Sequence, residues 1–200
     1  MRWFRRTPIG SARWVVLDCE TSGLDTAHDR LLSVGAVAVS AGEIRLADRF
    51  SALVGQAIPS APENILIHGI GGDAQRSGRP LPEIIAELRA YVGEGVPVAF
   101  HAPFDAQILR RHGLKLPAGW IDLATLMPAL FPSRAPRQCT LDHWLGAFSV
   151  PADARHDALG DAFAAAQLLL VVLAELKRQR SSTVEDLIKA ERGARWLARH

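Results

Sequence analysis

Apolar and polar positions alternate with two different periods along the chain, and they predict both strands and helices. Five short apolar runs, each bounded by Gly, Pro or Asp, are typical of strands. They are RWVVLDCE (13–20), LLSVGAVAVS (31–40), RFSALVG (49–55), VPVAFHA (96–102) and WIDLATL (120–126). Apolar residues at helical spacing predict helices in LPEIIAELRAYVG (81–93), FDAQILRRHG (104–113) and TLDHWLGAF (140–148), and over a long segment at about 159–179. Three adjacent strands followed by alternating strands and helices indicate a mixed α/β fold.

The composition is that of one globular domain. With 200 residues, 48% of them hydrophobic, we expect a single domain over residues 1–180 and a helical tail over 181–200 that packs on it or extends from it. The formal net charge is only +2, so the total charge does not identify an acidic partner. Residues 177–199 carry seven basic and three acidic side chains, and this segment could be a nucleic-acid tail, a partner-docking helix or a lid on the domain.

No segment of the sequence predicts export or membrane insertion. The longest apolar stretch, AFAAAQLLLVVLA, is shorter than the roughly 20 residues that a membrane span needs, so a buried helix explains it better. The basic N-terminal residues are not followed by the apolar core of a secretory signal, and we expect a cytoplasmic protein. Cys19 and Cys139 are far apart and lie in no metal-binding pattern, so neither a disulfide nor a zinc site is expected.

Two carboxylates stand together at the end of the first predicted strand. Alternate side chains of a strand point to the same face, so Asp18 and Glu20 converge. Two ionised carboxylates in a partly buried place repel each other unless one takes up a proton or a cation neutralises both. A hard divalent cation is the natural ligand of such a pair. The alternative is that the strand ends at Leu17, which leaves Asp18 in a solvated loop and Glu20 as a helix-capping acid.

Two further acids occur at places where a site is expected. Asp105 follows a predicted strand and opens a helix, which places it at the C-terminal edge of the sheet, where α/β proteins bind ligands. Asp161 lies in the first turns of a helix whose small neighbours let it approach the sheet closely. Each has a simpler explanation: Asp105 could be an ordinary N-cap, and Asp161 could be a favourable partner of the helix dipole.

These acids, together with one histidine, follow the order and spacing of three known motifs. D-x-E-T-x-G-L stands at 18–24, F-D at 104–105 and H-x4-D at 156–161, with an I-H-G-I segment at 67–70. In these motifs, over about residues 14–175, the chain resembles the DEDDh (DnaQ-like) 3′-to-5′ exonucleases, a family that includes the proofreading epsilon subunit of bacterial DNA polymerase III. The resemblance implies an α/β fold of the ribonuclease H-like type, a five-stranded mixed sheet whose second strand is antiparallel, flanked by helices.

The resemblance also implies a reaction and a role for each motif residue. The expected activity is metal-dependent hydrolysis from the 3′ end that releases nucleoside 5′-monophosphates, with two divalent cations, Mg²⁺ or Mn²⁺, stabilising the attacking and leaving oxygens. Asp18, Glu20 and Asp161 would gather one cation, and Asp105 would help Asp18 to place the second. His156 would deprotonate the attacking water, because imidazole accepts protons at neutral pH.

Substrate contacts carried over from the family fall on six positions. They are Thr21, Leu24, Ile67, His68, His101 and Phe104. Of these, Leu24, Ile67 and Phe104 could equally be core residues. Asp122 corresponds to a family acid that is mostly structural, and we do not expect it to bind metal.

The chain departs from the family pattern at two positions near these contacts. His101 stands where much of the family has Asn, and Gly71 stands where it has Thr. The segment that begins at Gly71 predicts a Gly-rich loop. Both departures concern substrate preference and leave the four acids and His156 unchanged.

The expected binding partner is single-stranded nucleic acid or a frayed 3′ end, with DNA favoured over RNA, and a polymerase or another protein is a possible further partner. Local basic residues could contact the phosphate backbone, although each could also belong to an ordinary solvated face. They are Arg110, Arg111, Arg134 and Arg137. Two alternatives remain: an RNA-directed 3′ exonuclease of the oligoribonuclease or RNase T type, and a non-catalytic accessory protein that binds nucleic-acid ends.

Overall fold

The computed structural model describes residues 7–116, 119–135, 140–151, 156–180 and 183–197. Arg137, Cys139 and positions 181–182 and 198–200 of the predicted tail lie outside these described residues.

Five strands form one mixed sheet, as predicted. They are β1 (Trp14–Thr21), β2 (Leu31–Ser40), β3 (Glu43–Leu53), β4 (Val96–Ala99) and β5 (Ile121–Asp122), in the spatial order β3-β2-β1-β4-β5. β2 is antiparallel to β1 and β3, whereas β4 is parallel to β1 and β5 is parallel to β4. The expected antiparallel second strand is therefore confirmed.

Helices cover both faces of the sheet, so side chains of β1 are buried alternately on either side. The helices are α1 (Pro62–His68), α2 (Gly72–Ser77), α3 (Leu81–Val92), α4 (Ala102–Arg111), α5 (Leu123–Leu130), α6 (Leu141–Ala147), α7 (Ala158–Arg178) and α8 (Val184–Leu197). Trp14 and Val16 face a core formed with α5, α6, α7 and α8. Val15 and Leu17 face a second core, formed with α3 and α4. The period-2 pattern of β1 thus decides which layer each of its residues meets.

Two predicted segments differ from the structure in the kind of element they form. The run WIDLATL is a strand only at Ile121 and Asp122, because the Asp122 carboxylate accepts a hydrogen bond from the Ala124 N–H at 3.1 Å and starts α5 there. The segment after Gly71 is not only a Gly-rich loop, since it contains α2. Side-chain capping decides the first outcome, and the second is supported by the buried Gln75 of α2, which is hydrogen-bonded to Ser60. Neither is encoded in the apolar pattern.

The long helix α7 packs on the sheet. Among the helices that the structure describes, it is the one long and apolar enough to cross a membrane, with a mean hydropathy of 1.8 over its most apolar stretch. More than half of that stretch, 56%, is buried inside the protein. Its apolar character is accounted for by the core, to which Ala165, Leu168 and Leu169 contribute fully buried side chains.

A glycine in β2 determines how closely α7 approaches the sheet. Gly35 pairs directly with Asp18 of β1 and lies on the same face. A Cβ atom on Gly35 would lie 2.2 Å from both the carbonyl carbon of Ala158 and the amide nitrogen of Leu159, at the start of α7. Only a residue without a side chain allows this contact, and the contact brings the first turn of α7 over the carboxylates of β1.

We expect Gly35→Ala to destabilise the fold by about 1–3 kcal/mol, because the added methyl group meets helix backbone and α7 must move away from the sheet. Urea unfolding followed by circular dichroism measures this change. Gly146→Ala is the matched control, since a Cβ at Gly146 meets nothing within 4 Å, and it should leave stability within about 0.5 kcal/mol or raise it. Equal stability of the two variants would show that the close approach does not constrain α7.

Candidate metal centre

Three carboxylates converge at the C-terminal end of β1, the central strand of the sheet. Asp18 and Glu20 project from the face of β1 that meets α7, and Asp161 projects from the first turn of α7. One carboxylate oxygen from each residue lies within 4.8 Å of the others. Asp161 is buried and the other two side chains are half-buried. The predicted convergence of Asp18 and Glu20 is therefore present, and the strand continues beyond Leu17 to Thr21.

The chemistry of this cluster fits a divalent metal ion. Three carboxylates this close repel one another when ionised, and partial burial strengthens the repulsion. All three groups offer hard oxygen ligands, which Mg²⁺, Mn²⁺ and Ca²⁺ prefer. Asp18, Glu20 and Asp161 could therefore hold a hard divalent cation.

His156 lies beside the cluster, immediately before α7. Its backbone is in the left-handed region, with φ at 61°, which histidine tolerates better than most residues. The His156 N–H donates to Asp161 Oδ2 at 3.3 Å, and the Asp157 carboxylate caps α7 by accepting from the Gly160 N–H at 2.9 Å. The turn into α7 thus fixes His156 next to a residue of the acidic cluster.

Asp105 reaches this region from the opposite layer. It is buried in the first turn of α4, and it is not one of the three residues whose oxygens converge. Burial raises the pKa of the Asp105 carboxyl to about 8, while hydrogen bonding from the thiol and the backbone N–H of Cys19 opposes the rise. Burial and the nearby Asp105 also raise the pKa of the Cys19 thiol, which keeps it protonated.

The start of α4 is held by a buried acid that sequence reasoning assigned only a structural part. Asp122 Oδ1 accepts hydrogen bonds from the backbone N–H groups of His101 at 3.1 Å and Ala102 at 3.2 Å, and Asp122 Oδ2 accepts from Thr125 Oγ1 at 2.7 Å. These bonds stabilise the left-handed backbone of His101, where φ is 66°, and orient the turn that carries Asp105. Asp122 therefore positions α4 from the neighbouring strand.

Two of the candidate substrate contacts are exposed apolar side chains. Leu24 is 88% exposed and Ile67 is 60% exposed, so neither is a core residue. Phe104 is half-buried and packs against the core on the α3 and α4 side. The exposed pair is accessible to a ligand, whereas Phe104 belongs to the packing of the domain.

The polar residues among the candidate substrate contacts differ in whether their side chains bond within the protein or face solvent. Thr21 Oγ1 donates to the Gly23 carbonyl oxygen at 2.6 Å, within the turn that carries Leu24. The His101 ring is exposed and packs edge-on against Phe100, with ring centroids 4.9 Å apart. His101 is therefore open to a ligand, whereas the Thr21 hydroxyl helps to shape the turn.

His68 is buried within a polar network that joins α1 to α2. Its Nδ1 accepts from the Ile70 N–H at 3.0 Å, and its Nε2 lies 3.2 Å from Ser60 Oγ. Because Nδ1 is an acceptor, Nε2 carries the proton, and burial lowers the His68 pKa so that the ring stays neutral. Gln75 extends the network through its bonds to Ser60. Any contribution of His68 to substrate contact would come through holding α1, which presents Ile67.

Sequence reasoning missed Gly35, although a signal was present. An isolated glycine inside an apolar strand indicates a bulge or a close approach by another backbone. In LLSVGAVAVS that glycine lies opposite Asp18, so the register of the β1–β2 pair would have pointed to the site.

Comparison with known proteins gives matches in sequence and in structure. The family model described as Exonuclease (RNase_T) matches residues 15–169. A DNA polymerase III subunit epsilon-like protein of Rhodobacter capsulatus is 30% identical over 183 residues, which cover 88% of this chain and 26% of that protein. A PolC-type DNA polymerase III of Thermotoga maritima is 29% identical over 186 residues, 90% of this chain and 13% of the polymerase. The chain thus spans only a small part of the length of these relatives.

Three solved structures are similar in fold. Exonuclease X in complex with 5′ overhanging duplex DNA has a TM-score of 0.69 at 22% identity, covering 89% of this chain and 99% of that one. Exonuclease I of E. coli in complex with a dT13 oligonucleotide has a TM-score of 0.70 at 18% identity, covering 84% and 42%. The nuclease domain of 3'hExo, described as a DEDDh family member bound to rAMP, has a TM-score of 0.69 at 16% identity, covering 84% and 95%. At these identities the likeness is one of fold.

The raised pKa of Asp105 predicts how the stability of the metal-free protein depends on pH. A buried carboxyl with a folded pKa of about 8, above its ordinary value of 3.8, stabilises the fold while it is protonated. That contribution is complete below about pH 4 and is lost as the pH rises through about 8. In EDTA, between about pH 5.5 and 8, the thermal midpoint of the wild type should fall relative to Asp105→Asn by roughly 3 °C per pH unit.

Thermal denaturation of both proteins across this pH range measures the difference. Asp73→Asn on the exposed surface of α2 is the matched control and should follow the wild type. Parallel curves for the wild type and Asp105→Asn would contradict the assignment of a proton to Asp105.

Proposed function

The chain belongs to the Exonuclease family, and we propose that within it this protein is a metal-dependent 3′-to-5′ exonuclease that releases nucleoside 5′-monophosphates from DNA. Family membership confirms the sequence prediction of a nuclease, and the mixed five-stranded sheet with its structural neighbours confirms the ribonuclease H-like fold. The observation that carries the proposal is the convergence of Asp18, Glu20 and Asp161 beside His156. Three carboxylates next to an imidazole provide the groups that metal-assisted phosphodiester hydrolysis needs.

Each residue of the site has a part in this proposal. Asp18, Glu20 and Asp161 hold one cation, and Asp105 helps Asp18 to hold a second, with Mg²⁺ or Mn²⁺ as the candidates. When bound, such cations supply charge stabilisation to the phosphodiester at the attacking and leaving oxygens. His156 accepts the proton of the attacking water, and its backbone bond to Asp161 keeps it beside the cluster.

The terminal nucleotide is proposed to lie on the surface around the cluster. Leu24 and Ile67 are exposed enough to contact a base, and apolar contact tolerates any base. His101 offers an imidazole in place of the amide of the family pattern, and Phe104 lies in the same turn of α4 as Asp105. Thr21 and His68 support the turn and the helix that present Leu24 and Ile67.

DNA is favoured as the substrate because the relatives named above are DNA polymerase III proteins. The similarity to these relatives also supports a polymerase as a protein partner and single-stranded DNA or a frayed 3′ end as the ligand. It likewise supports a cytoplasmic location. RNA remains the second candidate, since one structure of similar fold is described as bound to rAMP, and a contact to the 2′-OH would distinguish the two. A purely binding role is disfavoured because the four acids and His156 are all present.

A time course on 5′-labelled single-stranded DNA and RNA of one sequence tests the proposal. With Mg²⁺ or Mn²⁺ the products should form a ladder that shortens from the 3′ end, faster on DNA, and EDTA should abolish it. Asp161→Asn should slow the reaction by about 10²- to 10³-fold or more, because it removes a charge from the cluster. Asp157→Asn is the matched control, since Asn also caps helices, and it should retain activity. A ladder that is unchanged in Asp161→Asn or in EDTA would refute the metal-dependent reaction.

His156→Asn tests the proposed general base. Asparagine tolerates the left-handed backbone at this position, so the turn into α7 is retained while the proton acceptor is lost. The rate should fall by roughly 10²- to 10⁴-fold, whereas the Mn²⁺-induced rise in thermal midpoint should persist. His143→Asn in α6 provides the control and should keep the wild-type rate. Wild-type turnover in His156→Asn would assign the proton transfer to another group.

A further inference from the structure

A groove lies between α4 and α8. Its volume is about 650 Å³. Residues of both helices line it, together with Gly119 and Trp120, which immediately precede β5. None of the residues assigned above to the metal centre lines this groove, so it is a separate surface of the domain.

The groove combines positive charge with aromatic surface. Arg110 of α4 and Arg192 and Arg195 of α8 line it, against a single carboxylate, that of Glu191. Glu191 is buried and forms an ion pair with Arg195, so its charge is compensated. Arg110 and Arg192 are exposed and form no ion pair with any residue in the described part of the chain. The net charge that the groove presents is therefore positive.

Two tryptophans flank these arginines. Trp196 is 60% exposed at the end of α8, and Trp120 is half-buried with its ring packed against the core. A large exposed aromatic side chain beside arginines is a stacking surface for planar groups.

The groove begins at the start of α4, the helix that carries Asp105. Ala102 and Pro103, at the start of α4, form one end of it, and the Ala102 N–H is bonded to Asp122. Glu191 lines the same groove as Ala102 and Pro103, which places the middle of α8 close to this end of α4. From Ala102 to Arg110 the helix rises about 12 Å, at about 1.5 Å per residue. A chain that leaves the metal centre over the start of α4 therefore enters the groove directly.

We propose that the α4–α8 groove binds the single-stranded segment of the nucleic acid that precedes its 3′-terminal nucleotide. Arg110 and Arg192 contact phosphates, and Trp196 stacks on a base. About 12 Å accommodates roughly three or four nucleotides stacked at about 3.4 Å each. The inference deepens the proposed function and rests on it for the identity of the ligand. The sequence left three roles open for the C-terminal segment: a nucleic-acid tail, a partner-docking helix or a lid. The proposal assigns the first of these, contact with nucleic acid, to α8.

Binding of fluorescein-labelled oligothymidylates in EDTA tests the groove without hydrolysis. Fluorescence anisotropy compares an oligomer of about 20 nucleotides with one of about three, over a series of salt concentrations. For the long oligomer, Arg192→Glu should raise the Kd about tenfold and lower the slope of log Kd against log salt by about 0.7. Trp196→Ala should raise the Kd at least about fivefold. Both variants should lose more affinity for the long oligomer than for the short one, so the ratio of long-oligomer to short-oligomer affinity should fall.

Arg49→Glu is the matched control, because Arg49 is exposed on β3 at the opposite edge of the sheet and the substitution changes the net charge equally. Its Kd should stay within about twofold of the wild type. An equal loss of affinity in Arg49→Glu and Arg192→Glu would overturn the proposal that the groove binds DNA. Binding would then depend on the overall charge of the protein. Displacement of the long oligomer by polyglutamate at matched charge would also overturn the proposal and indicate an acidic peptide as the occupant.

The groove and the proposed function can fail separately. Suppose that the wild type degrades DNA with Mg²⁺ while Arg192→Glu and Trp196→Ala bind the long oligomer as tightly as the wild type does. The groove is then not the binding site, and the exonuclease proposal is retained. If both variants lose affinity while the wild type degrades neither DNA nor RNA, the groove stands as a nucleic-acid site and the exonuclease proposal is wrong.

Discussion

The mutual repulsion of three carboxylates, held together by the packing of α7 on the sheet, is the constraint on which the rest of the structure depends. Isolated acids on a strand and a helix would move apart, because water solvates each better than its neighbours do. They stay close because the buried apolar face of α7 cannot leave the core, and because Gly35 lets its first turn reach the sheet. The hydrophobic core thus supplies the free energy that keeps an electrostatically unfavourable cluster in place.

The two layers of the fold bring acids to the C-terminal end of β1 by different routes. β1 presents Asp18 and Glu20 to the α7 side and Cys19 to the α4 side, as the alternation of a strand requires. Asp161 therefore meets ionisable neighbours, whereas Asp105 meets a thiol and a backbone N–H in a buried place. The two aspartates thus have different environments. That of Asp161 suits a cation, and that of Asp105 favours a proton until a cation is present.

Local patterns predicted much of the fold, because strands and helices of this size are set by the spacing of apolar side chains. The five strands, α3, α4, α6 and α7, and the convergence of Asp18 with Glu20 all follow from periods of 2 and 3.6 residues. The early end of β5 could not be predicted this way, since it depends on the Asp122 side chain. Nor could the exposure of Leu24 and Ile67, because an apolar residue near a site has the same local signature as a core residue.

The spacing of the acidic residues along the chain has a consequence for biosynthesis. Asp161 follows Asp18 by 143 positions, so the cluster closes only after all five strands of the sheet and the start of α7, which carries Asp161, have been made. Contacts of such long sequence separation form late, because they require most of the chain to be ordered first. A nascent or truncated chain that lacks α7 has two carboxylates on an uncovered strand and cannot assemble the centre. The order of translation thus makes the acidic cluster one of the last features of the domain to form.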